Sequence, residues 1–333
     1  MKVLGIETSC DDSAVGIVSG GDVLSNVVHT QTVHAKWGGV IPELASRDHV
    51  RSIIPVIREA LESANLTMSE LDGVAACRGP GLPGSLLVGL CFGKSFAYGL
   101  GIPFVGVHHL EGHLLAAQIG AQIEPPYLAL IVSGGHSHIY EIREPCKYTL
   151  VGKTRDDAAG EAFDKGAKLL GLPYPGGPSI QQAATAGNPE RYDFPRAMQR
   201  EGEMDMSFSG LKTALLLEVE KQTRAELESN LPDLAASYQE AIVDALLWKL
   251  NQAYKQTGLH RIAIVGGVSA NSRFREKLHK TADSKGWEIA LPPIEFCTDN
   301  GVMIATAGEF RLKRGEISPN DITAVGRWQL ESL

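Results

Sequence analysis

The sequence predicts an α/β protein built from two related halves, and three observations predict it. Apolar strands ending in tight polar or glycine turns recur at corresponding places in each half. Amphipathic helices follow them, and the 36 glycines gather at strand ends instead of spreading evenly. A chain of 333 residues is long enough for two sizeable cores. Its 44% hydrophobic and 21% charged residues are those of an ordinary globular protein and exclude a disordered or membrane-embedded one.

The elements read in order. Lys2 to Ile6 is a strand, Glu7 to Asp12 a polar turn and Ser13 to Val18 a second strand. The same grammar returns at Tyr127 to Val132, Ser133 to Ser137 and His138 to Ile142. An amphipathic helix is expected over Glu43 to Ala64, with Val50, Ile53, Ile54, Ile57 and Leu61 on one stripe and Pro55 restricting it. Gly79 to Gly84 opens a stretch to Leu100 that is apolar nearly all round, so it is buried in its own core or against a partner. Tyr174 to Pro178 is expected to be non-helical, and Met206 to Thr213 to begin a helix. A longer helix is expected over Leu234 to Gln256, capped by Asp233 and stopped by Gly258. Ile262 to Val265 is a buried strand whose glycine turn, ending at Asn271, opens a helix that runs to about Gly286. Three such turns in this order predict an actin-like fold of the actin, sugar-kinase and Hsp70 type. Two related ribonuclease-H-like lobes would enclose a nucleotide cleft, with backbone N–H groups binding phosphate. The expected division is 1–107 plus 306–333 for one lobe and 108–305 for the other.

Charge and cysteines bound the setting. The net charge of −8 does not advertise nucleic-acid binding, so any RNA would need a local basic strip or a partner. Five cysteines (10, 77, 91, 146 and 297), odd in number and without a C-x-x-C pair, suit a reducing compartment. Met1 to Glu7 meets an acid too early for a signal peptide, and no apolar run is long enough for a bilayer. The expectation is a cytoplasmic protein.

His109 and His113 stand four apart where an apolar strand gives way to a helix, so both imidazoles share one face. Asp299, in a small-residue turn before an apolar helix, would complete a facial set of two nitrogens and one carboxylate with positions left for substrate. The order differs from the H-E-x-x-H of zinc peptidases. In the acidic run Asp156 to Lys165, Asp164 could meet ribose hydroxyls, although a helix start enriched in acids is the plainer reading. His34 to His49 is a polar insertion that could form a lip for substrate.

These motifs together resemble one family, TsaD. Ile6 to Asp11, Gly38 to Arg47, His108 to His113 and Val132 to His136 carry the resemblance, as do Asp156 to Lys165, Val265 to Asn271 and Phe296 to Gly301. The resemblance implies a tRNA threonylcarbamoyladenosine transferase with an actin-like fold. It implies one divalent metal, usually iron with zinc the alternative, on His109, His113 and Asp299. It implies an adenylate, or ATP, on Ile131, Val132, Ser133, Gly134, Gly135, Asp164, Gly177 and Asn271. The donor would be threonylcarbamoyl-AMP and the acceptor N6 of adenosine 37 in the tRNA anticodon loop. The partners would be a TsaB-like paralogue of the same fold and a TsaE-like small ATPase, with no membrane. Gln181 departs from the family, where some members carry an acid.

The chemistry suits the residues. A mixed anhydride already carries a good leaving group, so no nucleophilic Ser or Cys is required, only alignment and an electrophile on the carbonyl oxygen. Asp11 or Asp12 is expected to take the proton from the amine. Arg47, Arg51, Arg273, Arg275 and Lys277 are expected to face tRNA. A metallopeptidase would need a general base beside a metal-bound water, and Glu111, two residues from each His, is expected to point off the ligand face. A kinase of this fold would have no use for the His-His-Asp set. A non-enzymatic scaffold would not need to keep the metal and adenylate positions.

Overall fold

The computed structural model describes residues 1–37, 39–119 and 123–333, with side chains for all of these except 35–37. Part of the expected lip at 34–49 therefore lies outside the described residues. The chain forms two compact units, Met1–Gly120 with Pro292–Leu333, and Ala121–Leu291.

In the first unit, β1 (Lys2–Glu7), β2 (Asp12–Ser19) and β3 (Asp22–Thr30) form an antiparallel meander. β4 (Gly73–Gly79) and β5 (Phe104–His108) extend it in parallel, giving the order β3-β2-β1-β4-β5. The helices are α1 (Pro42–Ser63), α2 (Pro83–Leu100) and α3 (His109–Ala116). In the second unit, β6 (Tyr127–Val132), β7 (Ser137–Glu144) and β8 (Lys147–Lys153) are again an antiparallel meander. β9 (Arg261–Val265) and β10 (Glu288–Ala290) again add in parallel, in the order β10-β9-β6-β7-β8. Read outward from its first strand, each sheet has one topology, as the recurring strand-turn-strand pattern predicts. α4 (Ala159–Leu169), α5 (Gly176–Ala183), α6 (Ser209–Glu220), α7 (Arg224–Thr257) and α8 (Ser272–Lys285) cover the second sheet. The chain then returns to the first unit with α9 (Gly301–Lys313).

Both faces of the first sheet are covered, because successive side chains point to opposite sides. Leu4, Ile6, Val15 and Ile17 meet Ile53, Val56, Ile57 and Ala60 of α1, whereas Val3 and Val18 meet Val302, Ala305 and Leu312 of α9. Gly5 and Gly16 let α9 lie against the strand backbone. A Cβ on Gly301 would collide with Val15 and Gly16, so this helix start is fixed in depth. Because α9 packs on β1, β2 and β4 and α3 packs on α9, residues 108–119 and 292–305 belong to the first unit. The expected boundaries at 107/108 and 305/306 separate elements that share this core.

Three local expectations need correction. Val50 (63% exposed) and Ile54 (49%) lie outside the buried stripe of α1; the sheet instead takes His49, Ser52, Ile53, Val56, Ile57, Ala60 and Leu61. α7 starts at Arg224, because Thr223 and Glu226 form a capping box, and it continues through Pro232. Asp233 instead accepts the Asn188 N–H. Gly176, Gly177 and Pro178 form the first turn of α5, where backbone N–H groups have no helical partner and proline costs nothing. Among the described residues, no helix is long and apolar enough to cross a membrane.

Candidate functional site

α3 begins where β5 ends, and a histidine starts it. His108 is fully buried; its Nδ1 accepts the Leu110 N–H and its Nε2–H donates to the Trp328 carbonyl. Burial pushes its pKa down to about 3, which keeps the ring neutral for this cap. One residue on, His109 and His113 project from the same face, their rings edge to face at 4.8 Å. Asp299 comes from the turn ahead of α9. Asn300 pins that turn, accepting the Met303 N–H and donating to the carbonyls of Phe296 and Thr298. Asp299 Oδ1 lies 3.0 Å from His113 Nε2 and 3.6 Å from His109 Nε2. Ligand atoms of all three residues fall within 4.8 Å of one another. Two imidazole nitrogens and one carboxylate oxygen, converging from two rigid elements, are a donor set for one divalent transition metal.

Several groups around this set are invisible to sequence reading. Glu7, at the end of β1, is fully buried; its Oε2 lies 3.1 Å from His109 Nδ1 and its Oε1 accepts the Ser9 N–H at 2.5 Å. Burial alone would lower the His109 pKa, but the carboxylates of Asp299 and Glu7 raise it to about 9. Cys77, on the neighbouring β4, lies within ligand distance of Glu7 and His109. Glu111, between the two histidines, is clamped by Arg311 of α9 through contacts of 2.6 and 2.9 Å, so it cannot serve as the base of a peptidase. Asp12, one of the two expected bases, is strongly perturbed. Burial pushes its carboxyl up to about 7, against the Thr30 hydrogen bond and with the negative charges of Asp299, Asp11 and Glu7 adding to the rise. Its Oδ1 is out of contact with solvent and has no hydrogen-bond partner among the described residues.

The expected adenylate residues all lie in the second unit. Ile131 and Val132 end β6, and Ser133 to Gly135 form the turn into β7. Ser133 N–H donates to the His136 carbonyl, so an anion there would depend on Gly134 and Gly135, both exposed and without neighbours where a Cβ would stand. Asp164 Oδ1 accepts the Gly176 N–H, joining α4 to the start of α5. Gly177 faces open space. Asn271 caps α8 through Phe274 N–H and donates to Gln239, so its side chain already serves the fold. Gln181, the departure from the family pattern, accepts the Ser272 N–H and links α5 to α8. A cavity of about 710 Å³ lined by Pro178, Gln181, Gln239, Ser272 and Arg273 opens beside Gly177 and Asn271.

The expected tRNA cations divide. Arg273 is held by Glu240 and Glu276, Lys277 by Glu240 and Asp244, and Arg275 donates to the Ser269 carbonyl. The charges of Arg273 and Lys277 are compensated by acids of α7 and α8, whereas Arg275 is engaged by a backbone carbonyl. Arg47 and Arg51 stay exposed on α1, and Arg47 pairs with Glu43.

Comparison with solved structures shows the fold. The chain superposes on full-length HypF in its phosphate- and nucleotide-bound form with a TM-score of 0.63 and 12% identity, covering 95% of this chain and 47% of that one. It therefore spans about half the length of HypF. Component A of the (R)-2-hydroxyglutaryl-CoA dehydratase of Acidaminococcus fermentans gives 0.57 at 12% identity, covering 94% and 99%. The activator of the 2-hydroxyisocaproyl-CoA dehydratase from Clostridium difficile, with bound ADPNP, gives 0.51 at 13% identity, covering 96% and 99%. These are actin-like ATPase folds, as the three glycine turns predict. The sequence itself matches the family TsaD, tRNA N6-adenosine threonylcarbamoyltransferase, over residues 22–306, and the chain belongs to that family of transferases.

Proposed function

We propose that the chain transfers the threonylcarbamoyl group of threonylcarbamoyl-AMP to N6 of adenosine 37 in tRNAs that read codons beginning with A. The observation that carries this reading is the convergence of His109, His113 and Asp299 in a chain of this family. A divalent ion on these three residues, iron by preference and zinc as the alternative, would supply an electrophile for the carbonyl oxygen that gains charge. Asp12 is the base: it takes the proton as the N6–C bond forms and the bond from carbon to the phosphate oxygen breaks, and AMP leaves with its phosphate. Its carboxyl, pushed up toward neutrality by burial, supports that role. The adenylate falls to Ile131, Val132, Ser133, Gly134, Gly135, Asp164, Gly177 and Asn271, with the phosphate on the N–H groups of Gly134 and Gly135. An anticodon loop presents its bases single-stranded, so adenosine 37 can be splayed out without opening a duplex.

The partners follow from the same reading. Val50 and Ile54 on α1, with Leu87 (46% exposed) and Tyr98 (79%) on the neighbouring α2, offer an apolar face to a TsaB-like paralogue. A TsaE-like ATPase and the tRNA complete the assembly, in the cytoplasm; five cysteines without a C-x-x-C pair suit a reducing compartment. The test replaces wild-type protein with His113→Ala in cells and analyses the nucleosides of total tRNA by mass spectrometry. Loss of threonylcarbamoyladenosine, with the variant still folded, is expected. Undiminished modification refutes the reading.

A further inference from the structure

We propose that Glu7 is a positioning residue of the metal centre: it fixes the tautomer of His109, so that Nε2 is the nitrogen offered to the metal. This rests on the reading of His109, His113 and Asp299 as metal ligands.

The argument is one of donors and acceptors. Glu7 has no contact with solvent, so its carboxylate must be satisfied inside the protein. It gathers donors from three elements: Ser9 N–H on Oε1, His109 Nδ1 at 3.1 Å from Oε2, and the Cys77 side chain from the adjacent strand. An ionised carboxylate only accepts. The hydrogen of a neutral His109 ring therefore sits on Nδ1 and the lone pair on Nε2. That is the nitrogen facing Asp299 Oδ1, which His113 Nε2 also faces. A carboxylate, an imidazole and a metal position thus stand in line, an arrangement that raises the basicity of the ligand and holds its ring. His113 has no such support, since its Nδ1 is buried without a hydrogen-bond partner among the described residues. Orientation of the pair then falls to Glu7, with the Ser9 hydroxyl 3.3 Å from the same His109 nitrogen and able to accept from it as well. Glu7, Cys77 and His109 could themselves pass for a ligand set. That would require His109 to give Nδ1 to one ion and Nε2 to another, with no proton left for Glu7. One ion per chain is the consistent outcome.

Glu7→Gln tests this, because it keeps the shape and exchanges one acceptor for a donor. If the amide oxygen stays on Ser9 N–H, the amide NH₂ faces His109 Nδ1 and reverses the tautomer, turning Nε2–H toward the metal position. If the oxygen stays on His109, the NH₂ opposes Ser9 N–H. Zinc is loaded into metal-free protein against a chelator, and its stoichiometry and Kd are read, with circular dichroism as the control for folding. One zinc per chain is expected in the wild type, lost in His113→Ala. Its Kd is expected to weaken about 10- to 100-fold in Glu7→Gln, and less in Glu7→Asp, which keeps both acceptors. Histidine-selective NMR of the zinc-loaded wild type is expected to show coordination through His109 Nε2, and it decides the matter even if Glu7→Gln fails to fold. A wild-type Kd in a folded Glu7→Gln, coordination through Nδ1, or a second zinc that Cys77→Ala abolishes would each overturn the proposal. No zinc at all in the wild type would overturn the metal reading with it.

Discussion

Replacing Arg311 with methionine should destabilise the first unit and loosen the metal centre together. Glu111 sits on α3 between the two histidines and is fully buried, and Arg311 grips it bidentately from α9 while also reaching Glu316 at 2.7 Å. Methionine fills much of the same space but removes the cation from beside a carboxylate that is out of contact with solvent. Breaking a buried pair from one side costs about 3–5 kcal/mol, because the remaining charge is uncompensated. Adding Glu111→Gln should recover most of that loss, since the pair as a whole repays little more than its own desolvation. The assay is urea unfolding of both variants without metal, followed by hydrogen exchange to assign the change to the first unit, since two units need not unfold as one. Zinc affinity should fall in the single variant and return in the double, because α3 carries His109 and His113 and α9 follows directly on Asp299. A loss below about 1 kcal/mol in Arg311→Met, or a double variant no better than the single, would refute the reasoning.

Other outcomes follow from the same geometry. Gly301→Ala should cost about 1–3 kcal/mol by overpacking α9 on β2 and should lower the zinc stoichiometry, measured by elemental analysis. For Asp12, the folded value of about 7 lies above the ordinary 3.8. Its contribution to stability is therefore intact below the ordinary value and lost as pH rises through about 7, seen as a fall in melting temperature of metal-free protein that Asp12→Asn lacks. Transfer runs the other way, rising with pH as the base ionises, and Asp12→Asn should slow it about 10²- to 10⁴-fold and flatten the profile. Leu87→Asp should leave a folded protein, within about 0.5 kcal/mol of wild type, that no longer co-elutes with the paralogue on gel filtration.

What the sequence discloses is what local spacing encodes. The two meanders are legible because strand alternation and glycine turns are short-range signals, and the His109–His113 pair is legible because a helix brings i and i+4 together. Glu7 reads as the start of a polar turn, since its partner His109 lies 102 positions away. The Glu111–Arg311 clamp is hidden for the same reason. Val50 and Ile54 mislead because α1 is apolar over a wider arc than the sheet covers, and sequence alone does not divide core from contact surface. Arg273 and Lys277 mislead because a count of cations carries no record that Glu240 and Asp244 stand opposite them.

The first unit is interrupted: residues 121–291 form the second unit, and the chain then comes back with Asp299 and α9. On the ribosome this imposes an order. The first five strands and the two histidines of the candidate metal site emerge early, with the glycine face of β1 and β2 bare and Asp299 not yet made. The second unit, continuous in sequence, can fold in the meantime. Only when α9 arrives does the last helix seat against Gly5 and Gly16, and the same movement delivers Asp299 to His109 and His113. Assembly of the His109, His113 and Asp299 set therefore waits until α9 has been made, and a chain stalled before residue 299 would lack its third member.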